Sequence, residues 1–230
     1  MQEIFLNYIE TSFDGKHQSE PKIRQFEKNY ARLLLTTNCK KALDIGIGRG
    51  EMLSCMRNFN LDYQGVDISP STVNFCKTLD LNCTLVDDTE TWLNSRPKSF
   101  DVITCLDVLE HIPKDKTISF LKSIKSSLND GGIAIIQVPN LQCPEGQLHH
   151  FNDFTHLTGF VEHSLAQVLI AAEFENYSFH GFEEIYKNGT KQIIRKFLRG
   201  IFRATTKFSR RVHGNLNPNV LDPVMYVVAK

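Results

Sequence analysis

The chain has 230 residues, with 26 basic and 26 acidic side chains, so its formal net charge is zero. This balance gives the whole molecule no electrostatic attraction for nucleic acid, and we expect no nucleic-acid partner. Hydrophobic residues make up 41% of the chain and charged residues 23%, which suits a packed core and argues against global disorder.

The first ten residues contain neither a basic stretch nor a long apolar one, so we expect no secretory signal. No apolar run approaches the ~20 residues needed to span a bilayer, and we expect a cytoplasmic protein. The six cysteines form no Cys-x-x-Cys pair. We therefore expect reduced, mostly buried thiols and no metal site.

An N-terminal helical segment precedes a regular alternation of strands and helices. Within residues 1–40, Phe26, Tyr30, Leu33 and Leu34 recur at helical spacing and predict a helical cap. The predicted strands that follow are Lys41–Ile45, Tyr63–Val66, Cys83–Val86, Asp101–Cys105, Ile133–Val138, Glu175–Gly181 and Met225–Ala229.

The helices predicted between these strands have recognisable ends. Ser69 followed by Pro70 is typical of a helix start. The run Asn129-Asp130-Gly131-Gly132 predicts a glycine stop for the helix before it. The predicted helices are Glu51–Phe59, one beginning at Pro70, a short one around Trp92, Lys114–Leu128 and Val161–Glu173.

This alternation predicts an α/β fold, a parallel sheet covered by helices on both faces. Right-handed crossovers bring the carboxyl ends of the strands to one edge, where open sheets bind ligands. Acidic residues lie near the carboxyl ends of four of the strands, and we expect them at that edge: Asp44, Asp67, Asp88 and Asp107.

Residues 42–51 read Ala-Leu-Asp-Ile-Gly-Ile-Gly-Arg-Gly-Glu. With the acidic strand ends, this turn resembles that of the S-adenosylmethionine-dependent methyltransferases with a Rossmann-like fold. The spacing Gly-x-Gly-x-Gly differs from the dinucleotide fingerprint Gly-x-Gly-x-x-Gly. The resemblance covers roughly residues 41–179 and the last strand. It implies a doubly wound, mostly parallel sheet of seven strands, a core of residues 41–182 and 222–230, and S-adenosyl-L-methionine as cofactor.

The same resemblance implies roles for the residues at the sheet edge. Asp44 would face the ammonium group of the donor, and Asp67 would accept hydrogen bonds from its two ribose hydroxyls. Asp88 would contact the adenine amine, with Asp87 competing for that role. The full set of predicted cofactor-binding residues is Asp44, Gly46, Gly48, Gly50, Asp67, Ile68, Asp87, Asp88, Leu106 and Asp107.

A second segment, residues 149–160, carries the acceptor predictions. Its Asp-x-Thr-His run, Asp153 to His156, resembles methyltransferases of polysaccharide and O-antigen assembly. Histidine is the natural base for a sugar hydroxyl near pH 7, so the predicted catalytic residues are His156, His150, Asp153 and His111. An anionic acceptor would need no base, and the run could instead be a hydrogen-bonded turn that only shapes the loop.

The resemblance therefore implies an O-methyltransferase that acts on a carbohydrate, or on its phosphate, in surface polysaccharide biosynthesis. Two alternatives remain open. One is a small-molecule O-methyltransferase acting on a quinone or phenol precursor. The other is a donor-binding scaffold without catalysis.

Residues 183–221 predict a basic amphipathic helical insertion. Residues 187–211 contain nine basic side chains and no acidic one, and apolar pairs recur at the same spacing as the basic residues. The predicted helix, residues 191–207, would either pack its apolar face on the sheet or lie on an anionic membrane. Peripheral contact at the inner membrane would suit a lipid-linked acceptor. The sequence leaves the oligomeric state open.

Overall fold

A computed structural model describes residue 9 and residues 17–36, 39–184, 189–215 and 217–230. Its centre is a sheet of seven strands in the spatial order β3-β2-β1-β4-β5-β7-β6. The strands are β1 (Lys41–Ile45), β2 (Asp62–Asp67), β3 (Cys83–Leu85), β4 (Phe100–Leu106), β5 (Leu128–Pro139), β6 (Tyr177–Gly181) and β7 (Val224–Ala229).

The sheet is parallel from β3 to β5 and antiparallel where β7 pairs with β5 and β6. The chain winds outward from β1 to β3 in one direction and from β4 to β5 in the other. The predicted doubly wound, mostly parallel sheet is therefore confirmed. The reversal between β1 and β4 opens a crevice at their carboxyl ends, where open α/β sheets bind ligands.

Eight α-helices accompany the sheet in the described part of the chain. They are α1 (Glu20–Thr36), α2 (Glu51–Asn58), α3 (Pro70–Thr78), α4 (Thr89–Asn94), α5 (Thr117–Ser127), α6 (Pro144–Asn152), α7 (Glu162–Ala171) and α8 (Gly189–Val212). The start of α3 is as predicted, because the Ser69 hydroxyl accepts a hydrogen bond from the Thr72 amide at 3.4 Å.

Two hydrophobic cores form because successive strand residues point to opposite faces. Leu43 and Ile45 pack on one face with residues of α5 and α7. Ala42 packs on the other face with residues of α1, α2 and α3. Helix α1, the described part of the predicted cap, thus forms part of one helical layer over the sheet. The division into cap, core and insertion stays a prediction.

The boundary between α5 and β5 differs from the prediction. Helix α5 covers Thr117–Ser127, and β5 begins at Leu128, which pairs with Phe100. The glycine stop was therefore wrong. Residues 129–132 instead form an irregularity within β5, where Gly131 has a φ of +80°. Buried Leu128 continues the sheet, and this burial outweighs the local stop signal.

Two further elements depart from the prediction. Helix α6 was missed, because Pro144 at its first turn and a short polar pattern resemble a loop. Helix α8 has no buried residue, so its apolar face does not pack on the sheet as one alternative expected. Among the residues that the structure describes, none of the helices combines the length and apolar character required to span a bilayer.

Candidate functional site

A cavity of about 600 Å³ lies at the carboxyl edge of β1 and β4. It is lined by the segments that follow β1, β2 and β4, and by parts of α1 and of the 149–156 segment. Its lining residues are Lys22, Phe26, Asp44, Ile45, Gly46, Ile47, Gly48, Glu51, Met52, Asp67, Ile68, Ser69, Thr89, Leu106, Asp107, Val108, Glu110, His111, Ile112, Pro113, Phe120, Pro139, His149, Asp153, His156 and Val224.

The end of the cavity beside β1 is formed by a glycine turn, and we call Asp44, Gly46, Gly48 and Asp67 the glycine-turn end. Gly46 has a φ of +73°, and a Cβ atom there would lie 2.3 Å from the Val108 side chain. Only glycine fits such a conformation and such a close approach. The turn therefore brings backbone, without side chains, to the wall of the cavity.

Two carboxyl groups lie at the glycine-turn end. Thr104 donates a hydrogen bond to buried Asp44 at 2.6 Å, and burial raises the pKa of Asp44 to about 8. The Ser69 amide donates to Asp67 at 2.8 Å. Burial raises the pKa of Asp67 to about 6, although backbone amides including those of Ile47 and Gly48 lower it. A cation bound at this end would favour the ionised form of both groups.

Asp107 is held at the end of β4 in an unusual conformation. Its φ is +55°, which is uncommon for a residue other than glycine. The Gln137 amide donates to both Asp107 oxygens, at 3.0 and 2.9 Å. Gln137 in turn accepts from the hydroxyl of fully buried Tyr30 at 2.5 Å. Helix α1 therefore helps to orient a cavity carboxylate through Gln137.

The opposite end of the cavity is formed by the turn after β4 and the 149–158 segment. The amides of Leu157 and Thr158 both donate to the Glu110 carbonyl, at 2.8 and 3.0 Å. Within the segment, Thr155 donates to the Asp153 carboxylate from its amide at 2.8 Å and from its hydroxyl at 2.6 Å. The Asp-x-Thr run thus forms an internal turn that presents the residue after it to the cavity.

Three side chains converge there, and we call Glu110, His111 and His156 the histidine end. The two imidazole rings lie edge to face with centroids 4.6 Å apart, and His156 Nε2 lies 3.8 Å from Glu110 Oε1. Burial, together with nearby Asp107, raises the pKa of Glu110 well above its usual value. Burial and the neighbouring His156 lower the pKa of His111.

Some predicted residues do not line the cavity. Asp87 and Asp88 are exposed, and Asp88 caps α4 by accepting from the Thr91 amide at 2.6 Å. Gly50 caps α2, and a Cβ atom there would meet Leu81 at 2.5 Å. His150 is buried beside the cavity, where its carbonyl accepts a hydrogen bond from His156 Nδ1 at 2.7 Å.

Sequence reasoning missed several lining residues. His149, not His150, lines the cavity, because neighbouring residues on helix α6 point in different directions. Lys22 and Phe26 come from α1, far from the motifs in sequence. Glu110 was visible beside His111 but was not predicted as a site residue. The lining carries six carboxyl groups against one lysine: Asp44, Glu51, Asp67, Asp107, Glu110 and Asp153.

Comparison with known proteins places this chain in a family. A protein-family model described as a methyltransferase domain matches residues 16–178. A ubiquinone biosynthesis O-methyltransferase of Idiomarina loihiensis is 33% identical over 101 residues, which are 40% of this chain and 40% of that enzyme. The matches span roughly half the length, or less, of the curated relatives.

Solved structures share the fold. An S-adenosylmethionine-dependent methyltransferase from Archaeoglobus fulgidus superposes with a TM-score of 0.69 at 20% identity, covering 92% of this chain and 95% of that one. A Burkholderia thailandensis 1,6-didemethyltoxoflavin N1-methyltransferase, solved with bound 1,6-didemethyltoxoflavin and S-adenosylhomocysteine, gives a TM-score of 0.59 at 16% identity, covering 98% of this chain and 86% of that one. At these identities the likeness concerns the fold alone.

Proposed function

This chain belongs to the methyltransferase-domain family, and from that premise we propose that it transfers a methyl group from S-adenosylmethionine to a hydroxyl of a small-molecule acceptor. The observation that carries the proposal is one cavity with two chemically different ends. The glycine-turn end offers backbone and carboxylates, and the histidine end offers imidazole nitrogens. S-adenosylmethionine, when bound, supplies a methyl group on a positively charged sulfur.

The glycine-turn end fits that donor. Asp67 would accept hydrogen bonds from the two ribose hydroxyls, and Asp44 would face the ammonium group. Gly46 and Gly48 let the donor lie against bare backbone, and Leu106, Asp107 and Ile68 line the space beside it. The acidic lining suits the positive sulfur as well as the ammonium group.

The acceptor hydroxyl would lie at the histidine end. His156 Nδ1 is occupied by the His150 carbonyl, so in the neutral ring Nε2 is unprotonated and faces Glu110. Asp153 acts through Thr155, whose hydroxyl lies 2.9 Å from His111 Nδ1. Asp153 and Thr155 would orient His111, and His111 and His156 would contact the acceptor oxygen.

A phenolic acceptor, the alternative from the sequence, has more support than the predicted carbohydrate. The relative described above acts in ubiquinone biosynthesis by its name, and none of the proteins described above is a polysaccharide enzyme by name. The segment that carries His149 and His156 also bears four exposed large apolar side chains, which favour a lipophilic acceptor: Leu148, Phe151, Phe154 and Leu157.

The test is methyl transfer from labelled S-adenosylmethionine to a panel of acceptors: a catechol, a simple phenol, a free sugar and a sugar phosphate. We expect label on a phenolic oxygen. Label on the sugar or sugar phosphate alone would restore the carbohydrate prediction. Donor binding without transfer to any acceptor would support the non-catalytic scaffold.

We also propose that α8 lies on an anionic membrane surface. Its exposed apolar side chains share one face of the helix: Ile193, Ile194, Phe197, Leu198, Ile201, Phe208 and Val212. On the opposite side, Arg199 pairs with Glu184 at 3.3 Å and Arg203 with Asp222 at 2.5 Å. Ion pairs to the body thus hold the apolar face outward, with Lys191 and Lys207 along its borders.

Sedimentation with vesicles tests this surface. Binding to anionic vesicles at low salt should weaken steeply as salt rises, because each basic residue near the surface contributes ~1 kcal/mol and is screened by salt. An Ile194→Ser, Phe197→Ser double variant should bind less while its donor affinity stays unchanged. Absence of vesicle binding by the wild type at low salt would exclude this role.

A further inference from the structure

We propose that Glu110, His111 and His156 form a site for one divalent transition-metal cation at the acceptor end of the cavity. Their ligand atoms all lie within 4.8 Å of one another, and His156 Nε2 is 3.8 Å from Glu110 Oε1. Ligand bonds of about 2.0–2.2 Å place neighbouring ligand atoms about 2.8–3.6 Å apart in octahedral or tetrahedral sites. The three side chains would therefore close by about 1 Å on binding a cation.

Both histidines are held in the tautomer that a metal requires. His156 Nδ1 lies 2.7 Å from the His150 carbonyl, which can only accept, so Nδ1 carries the hydrogen and Nε2 offers its lone pair. The Thr155 hydroxyl donates to Asp153, so it accepts from His111 Nδ1 at 2.9 Å. The lone pair of the neutral His111 ring then lies on Nε2. Metal-binding histidines are usually oriented in this way, by a carbonyl or a carboxylate behind the ring.

The carboxyl group of Glu110 provides independent support for a cation at this position. Its side chain is fully buried, and neither carboxyl oxygen has a hydrogen-bond partner on another described residue. A buried polar group without a partner is costly, and in native structures it usually marks a bound ion or water. Glu110 Oε1 lies 3.8 Å from His156 Nε2, where a cation would satisfy both the carboxylate and the ring nitrogen.

The ligand types indicate the class of cation. Two imidazole nitrogens and one carboxylate suit Mn²⁺, Fe²⁺, Co²⁺ or Zn²⁺, whereas Mg²⁺ and Ca²⁺ prefer oxygen ligands throughout. Three protein ligands leave coordination positions open toward the cavity. The site thus departs from the sequence-based expectation of no metal, which considered cysteine spacing only.

The role of the cation rests on the proposed function. An open position would hold the acceptor hydroxyl, and a bound divalent cation lowers the pKa of such an oxygen. His156 would then be a ligand rather than the general base predicted from the sequence, because a metal-bound Nε2 cannot take up a proton. A metal and a general base therefore make opposite predictions about a chelator.

The binding experiment uses the full chain stripped with a chelator and titrated with Mn²⁺ or Co²⁺ by calorimetry, with the visible spectrum of Co²⁺ as a second readout. We expect one cation per chain. Glu110→Gln, which keeps the shape but removes the charge, and His156→Ala should each weaken binding at least tenfold. His163→Ala, an exposed histidine outside the cavity, should bind as the wild type does.

Donor binding by each variant separates loss of the site from loss of the fold. No binding of either cation by the wild type, or unchanged binding by Glu110→Gln, would overturn the proposal. Methyl transfer that survives treatment with the chelator would also overturn the metal-site proposal, but it would leave the proposed function intact. Metal binding without transfer to any acceptor would instead count against the function and leave the site standing.

Discussion

The glycine-turn end and the histidine end of the cavity are built by different means. At the glycine-turn end, the groups follow directly from the ends of β1 and β2, and backbone geometry sets their positions. At the histidine end, side-chain hydrogen bonds join segments 44 residues apart, as between His111 and Thr155. The first end depends on the sheet, whereas the second depends on a network whose members can be removed one at a time.

This difference predicts how substitutions divide. Changes at the glycine-turn end should alter donor affinity, and changes at the histidine end should alter turnover. A variant that breaks this division would show that the two ends are coupled, for example through Asp107, which is hydrogen-bonded to Gln137 from the neighbouring strand.

The largest effect is expected for His156→Ala. Removing Nε2 takes away either a proton acceptor or a metal ligand, and turnover should fall about 10²–10⁴-fold. Donor affinity should stay within a factor of two of the wild-type value, because the glycine-turn end is untouched. Turnover with the best acceptor and donor calorimetry measure the two quantities, and His163→Ala is the matched control. Near-normal turnover of His156→Ala would remove this residue from the reaction.

Asp67→Ala should act on the other end alone. It removes two charge-assisted hydrogen bonds to the donor, worth about 1.5–3 kcal/mol each, so donor affinity should fall at least tenfold. Asp62 begins the same strand at the opposite edge and is exposed, so Asp62→Ala is the control. Unchanged donor affinity in a folded Asp67→Ala protein would contradict the assignment.

The same contrast explains what the sequence could predict. The strands along the chain, the glycine turn and the expectation that Asp44 and Asp67 lie at one edge follow from hydrophobic alternation and from the rule that parallel strands end at one edge. The choice between His149 and His150 depends on the rotation of α6, which no local pattern in the sequence reveals. The orphaned carboxylate of Glu110 is a property of three-dimensional packing, and the exposed face of α8 depends on ion pairs to Glu184 and Asp222.

A pH series should distinguish the contributions of Asp44 and Asp67, the two carboxyl groups that we propose contact the donor. Burial raises the pKa of Asp44 to about 8 and that of Asp67 to about 6. Because these folded-state values exceed the unfolded ones, the donor-free protein binds extra protons when folded. Its free energy of unfolding should therefore fall as pH rises from about 4 to about 8.

The donor needs Asp44 and Asp67 in their ionised form. The affinity of the protein for the donor should therefore rise several-fold over the upper part of the range from about pH 4 to about pH 8. Thermal unfolding from pH 5 to 8, with and without S-adenosylmethionine, should show a donor-induced increase in Tm that grows with pH. Asp44→Asn should flatten the dependence above pH 7. A donor-induced shift that stays constant across the series would show that these two groups do not meet the donor.

The smallest effect is expected for Asp88→Ala, and it tests the edge of the glycine-turn end. The sequence predicts that Asp88 contacts adenine, but its carboxylate caps α4 through the Thr91 amide, and its pKa lies below the usual value because Thr91 donates to it. Loss of such a cap costs about 1 kcal/mol of stability. Denaturant unfolding of Asp88→Ala should show that loss of stability, and calorimetry should find its donor affinity unchanged. The Asp88→Ser variant should recover most of the stability, because serine also caps helices. If Asp88→Ala weakened donor binding tenfold while stability held, the capping carboxylate would have to turn toward the donor on binding, and the glycine-turn end would extend beyond β2 to the start of α4.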